Sequence, residues 1–261
     1  MTPTPLTPTG PTSSGHVDVD GVRVYHEVHG EGPPLVLLHG GVLAIDLDFH
    51  ALLPTLAETR QVIGIELQGH GRTNDTDRPM SVGTFAADVV AVLDHLGIES
   101  ADVLGHSLGG AIAIELAISH PSRVRSIVPI SASVDTSGIH EDLTDPGKMA
   151  TSTRMPTADD FAEMRRTYDA LSPHPEHFDD FLAKMQGLGA TLVGWSDEQL
   201  ATIAAPTLVV QGDHDFTTNA HAAQMVEKIP GARLAILPGT THMTVTLRAD
   251  YLLPMVRDFL S

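Results

Sequence analysis

The chain has 261 residues, enough for one α/β domain with a sizeable core. Its 15 basic and 33 acidic side chains leave a net charge of −18, which argues against nucleic acid or a membrane surface as partner. Cysteine is absent, excluding disulfides and thiolate metal sites, and no apolar stretch approaches the ~20 residues of a membrane span.

Residues 1–15 are rich in Pro and Thr and lack the charged start and apolar centre of a signal peptide. They are expected to be a disordered tail on a cytoplasmic protein. His16–Val19 and Val22–Tyr25 alternate around Asp20-Gly21, a strong hairpin signal. Pro34–Leu38 is a continuous apolar run, as in a strand buried on both faces, and ends in His39-Gly40-Gly41. A helix is expected over Asp46–Glu58, then a second buried strand, Gln61–Leu67, running into the loop Gln68–Arg72. Ser81 reads as an N-cap, followed at helical spacing by Val82, Phe85, Ala86, Val89, Leu93 and Leu96 up to Gly97.

Ala101–Leu104 is the next strand. It leads through Gly105-His106-Ser107-Leu108-Gly109-Gly110 into the small apolar run Ala111–Ala117. That strand–turn–helix context is the one in which G-x-S-x-G forms a nucleophile elbow. The glycines at 105 and 109 let strand and helix pass closely, and the turn exposes Ser107 at a helix N-terminus, where a developing anion is favoured. His120-Pro121 ends the helix and Val124–Ile130 is another strand. Strands alternating with helices imply right-handed crossovers and a mostly parallel sheet.

Between Asp135 and Ala204 the pattern becomes helical: Thr157 as cap, then Phe161, Met164, Tyr168 and Leu171, followed by Phe178, Phe181, Leu182, Met185 and Leu188. Residues 135–204 are therefore expected to form a helical lid, with 16–134 and 205–261 as the core. The lid carries Met149, Met155, Met164 and Met185 of the 9 methionines, and the only tryptophan, Trp195. Met149, Met164 and Trp195 would suit an apolar ligand; the plainer reading is that they hold the lid helices together. The sheet resumes at Pro206–Gln211, ending in Gly212-Asp213-His214-Asp215-Phe216. A helix over Asn219–Ile229, a strand Arg233–Leu237 ending in Pro238–His242, and a helix Leu252–Leu260 complete the chain. The 15 histidines show no metal-ligand spacing, and even the dense Asp213-His214-Asp215 cluster is not expected to hold a metal.

Three strand ends thus supply Ser107, Asp215 and His242 in that chain order. With Leu38-His39-Gly40-Gly41, Gly105–Gly110 and Gly212–Asp215, residues 16–261 resemble the α/β-hydrolase superfamily. The resemblance implies an α/β fold, a mostly parallel sheet with helices on both faces and a small helical lid after the sixth strand. It implies Ser107 as nucleophile, His242 as base, Asp215 as the acid orienting it, and an oxyanion hole made by the N–H groups of Gly41 and Leu108. Asp213 and, after the preceding strand, Asp135 are competing acids, and Thr241 stands where many relatives have glycine. His39 and His106 read as supports of the elbow; His70 borders the site in relatives and is a candidate substrate contact. Serine rather than aspartate at 107 argues against haloalkane dehalogenase or epoxide hydrolase chemistry. The function implied is cofactor-free cleavage of a small carboxylic ester or lactone with apolar groups. Carbon–carbon bond hydrolysis, cofactor-free perhydrolysis with the same triad, and a ligand-binding receptor on the same scaffold are the alternatives.

Overall fold

The computed structural model describes residues 10–191 and 194–261. Strands β1 (Ser13–Val19) and β2 (Val22–His29) pair antiparallel about Asp20-Gly21, whose φ values of 51° and 82° make the primed turn expected there. β1 begins at Ser13, so residues 13–15, expected in the tail, pair with β2 instead; residues 1–9 lie outside the described part. β3 (Pro34–Leu38) follows, then two short helices, α1 (Ile45–Asp48) and α2 (Leu53–Leu56), where one long helix was expected. Pro54 sits in the first turn of α2, where its missing N–H costs nothing; inside one continuous helix it would break the ladder.

β4 (Gln61–Ile65), α3 (Val82–His95), β5 (Ala101–His106), α4 (Leu108–Ser119) and β6 (Val124–Ile130) then alternate as expected. Ser81 caps α3, its hydroxyl accepting from Thr84 N at 3.0 Å. After β6 the described α and β elements up to residue 200 are all helices: α5 (Glu141–Thr144), α6 (Pro146–Met149), α7 (Ala158–Leu171), α8 (Phe178–Thr191) and α9 (Asp197–Leu200). β7 (Leu208–His214), α10 (Asn219–Lys228), β8 (Arg233–Thr241) and α11 (Ala249–Phe259) complete the fold. Among the described residues no helix is long and apolar enough to cross a membrane.

The eight strands run β1-β2-β4-β3-β5-β6-β7-β8, parallel from β4 to β8. Alternation along β3 sends Val36 and Leu38 into an apolar cluster with Phe85, Val89 and Ile112, and Leu35 and Leu37 into a second with Phe49, Leu52 and Leu252. Both faces of the sheet are thus covered. The chain leaves β3 for β4 on one side and reaches β5 on the other. Strand order therefore reverses at β3, and a crevice opens beyond the C-terminal ends of β3 and β5.

Candidate active site

Ser107 stands between β5 and α4 with φ 52° and ψ −112°, a conformation sparsely populated by residues other than glycine. Its N–H donates to Ile130 O at 2.8 Å and its C=O accepts the first bond of α4, from Ala111 N, so the turn is held from both sides. The flanking glycines are required by contact. A Cβ on Gly105 would lie 2.1 Å from Gly109 O, and one on Gly109 would lie 1.9 Å from Leu38 O.

His242 follows β8, and its Nε2 lies 3.0 Å from Ser107 Oγ. Its Nδ1–H donates to Asp215 Oδ1 at 2.6 Å, and its ring stacks on Phe216 with centroids 3.8 Å apart and planes 7° from parallel. Asp215, just beyond β7, is fully buried, and its Oδ1 also accepts from Phe216 N at 2.7 Å. Its Oδ2 accepts from the Ser131 hydroxyl and, at 3.3 Å, from Gly212 N. Burial would raise the Asp215 pKa; the charge and hydrogen bond of His242, with the Ser131 and Phe216 donors, outweigh it and hold the carboxyl down to about 2. The two competing carboxylates are occupied elsewhere. Asp213 accepts from the N–H groups of Gly239 and Thr240, both at 3.0 Å, and Asp135 accepts from Ser137 N at 2.8 Å.

The loop after β3 brings Gly41 to the same cavity, which Leu108 also lines. Val42, next along, has φ 63°, a left-handed conformation costly for a β-branched residue. His70 holds it there: Nε2 accepts from Val42 N at 3.1 Å while Nδ1–H donates to Gln68 O at 3.0 Å. Only 1% exposed and packed edge-on against Phe181, His70 clamps the loop and does not line the cavity. This corrects its expected role as a substrate contact.

The cavity has a volume of about 450 Å³ and is walled by Leu43, Met164, Leu182, Met185, Trp195 and Met243, among others. Met164 and Trp195 thus line the cavity that Ser107 and His242 also line. Trp195 is fixed by its Nε1–H donating to Glu115 Oε2 at 2.6 Å. Met149 is 38% exposed at the end of α6 and lines none of the cavity, a second correction; the short helices α5 and α6 turn it outward. Ser131 and Phe216 were missed, since a single serine and phenylalanine carry no spacing signal. Among the described residues, His174, Glu176 and His177 could together hold a metal ion, but all three are exposed and none lines the cavity.

Residues 33–191 match the family described as alpha/beta hydrolase fold, and the chain belongs to that family. It is 29% identical to a 2-hydroxymuconate semialdehyde hydrolase of Pseudomonas sp. strain CF600, over 92% of this chain and 91% of the relative. A putative carbamate hydrolase, RutD, of Azorhizobium caulinodans is 28% identical over 90% and 94% of the two chains. Among solved structures, Est816, an N-acyl homoserine lactone degrading enzyme, superposes with a TM-score of 0.68 at 28% identity, covering 94% of this chain and 99% of that one. The protein is accordingly an enzyme of the hydrolase class.

Proposed function

We propose that the protein is a serine hydrolase that cleaves an uncharged carboxylic ester or lactone with apolar groups, through an acyl-enzyme on Ser107. The observation that carries this is the hydrogen-bonded chain Ser107–His242–Asp215 at the wall of an apolar cavity with no Lys or Arg among its described lining residues. Ser107 Oγ attacks the carbonyl carbon while His242 Nε2 takes its proton. Asp215 keeps the imidazole in the Nδ1–H tautomer and stabilises the imidazolium. The N–H groups of Gly41 and Leu108 receive the oxyanion; one such donor is worth about 2.7–4 kcal/mol in comparable sites. His242 then protonates the departing alkoxide, and a water molecule, deprotonated by the same ring, releases the acid and restores Ser107. Helices α5–α9 act as a lid, supplying Met164, Leu182 and Met185 to the cavity wall.

Carbon–carbon bond hydrolysis is the second reading, favoured by the 29% identical semialdehyde hydrolase. A muconate semialdehyde carries a carboxylate, and burying that anion in this cavity would leave it without a cationic partner. A fluorophosphonate probe is expected to label Ser107, and Ser107→Ala is expected to abolish p-nitrophenyl ester turnover at an unchanged melting temperature. Labelling without turnover of any neutral ester or lactone, alongside turnover of a carboxylate-bearing diketone, would favour the second reading. Undiminished ester turnover by Ser107→Ala would overturn the first.

A further inference from the structure

Beneath the triad lies a second imidazole–carboxylate pair. Asp48, the last residue of α1, and His106, the residue before Ser107, are both buried, with His106 Nδ1 2.9 Å from Asp48 Oδ2. The same carboxylate oxygen accepts from Gly40 N at 2.8 Å, one residue before Gly41. On its other side, His106 Nε2 lies 3.1 Å from the backbone carbonyl of His242. Both ring nitrogens thus face acceptors. A neutral imidazole has one N–H and would set a lone pair against either a carboxylate or a carbonyl. Asp48 is kept ionised against its burial by His106 and by the Gly40 N–H, and beside an ionised Asp48 this geometry makes His106 an imidazolium.

We propose that Asp48 and His106 are positioning residues, a non-reacting ion pair that registers the oxyanion loop and the His242 backbone against Ser107. The proposal rests on the serine-hydrolase reading above. A buried ion pair is a poor way to stabilise a core, because apolar residues of the same volume do it at least as well. What this pair does that apolar residues could not is end three directional bonds on three functional segments: the loop at Gly40, the elbow at residue 106 and the chain at His242. Space is made for it, since a Cβ on Gly40 would lie 3.1 Å from His106 Nδ1. The titratable groups around the His106 ring come from every side of the site: Asp48 from α1, His39 after β3, Asp215 after β7 and His242 after β8, its ring centroid 5.0 Å away. Small misplacements of reacting groups cost up to about 100-fold in rate, so loss of this registration should fall on kcat rather than on binding.

The test is kcat and KM for a p-nitrophenyl ester, expressed per serine titrated by a fluorophosphonate, in the parent, Asp48→Asn, His106→Asn and the double variant. Titration removes unfolded molecules from the count, so a merely structural role leaves per-site turnover unchanged. The expected result is a tenfold or greater fall in per-site kcat with KM within threefold, and a double variant no slower than the worse single. A fall of less than tenfold, or losses that multiply in the double variant, overturns the proposal. His106→Asn carries the same test alone if Asp48→Asn does not fold. A parent that is not labelled at Ser107 overturns the hydrolase reading and this proposal together, whereas a labelled parent with unaffected variants overturns this proposal only.

Discussion

At the His242 ring both nitrogens have partners and two rings pack against it: Asp215 at Nδ1, Ser107 at Nε2, Phe216 stacked on it and His106 tilted against it. Of these neighbours only Asp215 can select the tautomer that leaves Nε2 free to take a proton. On the proposed mechanism, Asp215→Asn is therefore expected to lower kcat by about 10⁴. Asp213→Asn, two residues away, should change kcat by less than about tenfold, because its carboxylate accepts from the N–H groups of Gly239 and Thr240 and faces His214, with none of the triad on it. Steady-state kinetics of the two variants decide between them, and a larger loss at 213 would reverse the assignment. Ser107, Asp215 and His242 were legible because each sits on a motif at a strand end. Ser131 and Asp48 were not: their partners lie 84 and 58 residues away in sequence, a relation no local pattern encodes. His70 was placed in the right neighbourhood, but burial turns it inward to Val42.

The elbow works as an element because α4 crosses β3 and β5 with no side chain between backbones. Gly109→Ala would set a methyl 1.9 Å from Leu38 O, and backbone at the middle of a buried sheet cannot yield. The expected loss is about 3 kcal/mol or more, at the upper end of overpacking costs, read as a fall in the chemical-denaturation midpoint or as failure to fold. Gly97→Ala supplies the contrast. Gly97 has φ 68° with nothing within 4 Å of its added Cβ, so only the left-handed conformation is paid for, about 1–2 kcal/mol. Equal losses at both positions would mean that close approach is not what the elbow glycine provides. Elements with strong periodicity, such as α3, and continuous apolar strands, such as β3 and β4, were readable because burial on one or both faces writes directly into the sequence. The region after β3 was not, since its apolar residues fit one long helix and only Pro54 hints that the chain breaks into α1 and α2.

For the whole molecule, the buried histidines set opposing slopes on stability against pH. His39 and His70 are lowered from 6.5, chiefly by burial, so the unfolded chain takes up protons that the folded one refuses. Their contribution is constant above pH 6.5 and is lost as pH falls below it. His106 has the opposite sign. Burial works against its charge, but Asp48, by charge and hydrogen bond, with Asp215 behind, raises its pKa above 6.5. Its contribution is complete below pH 6.5 and is lost as pH rises through the folded value. Glu66, which burial raises to about 7 despite Arg72, also favours acid between 4.5 and 7, but it is common to parent and variants and cancels in their difference. The net charge of −18 adds a general gain on acidification that 0.5 M salt screens to a range of about 4 Å. Melting temperatures measured in that salt from pH 5 to 9 should therefore separate the two arms. His70→Gln, which keeps an acceptor within reach of Val42 N, should flatten the fall below pH 6.5. Asp48→Asn should remove the fall above it and steepen the acid side, since a His106 stripped of its main partner keeps only the smaller pulls of Asp215 and the His242 carbonyl against its burial. Parallel curves for parent and Asp48→Asn across pH 6.5–9 would show that His106 is not held as a cation.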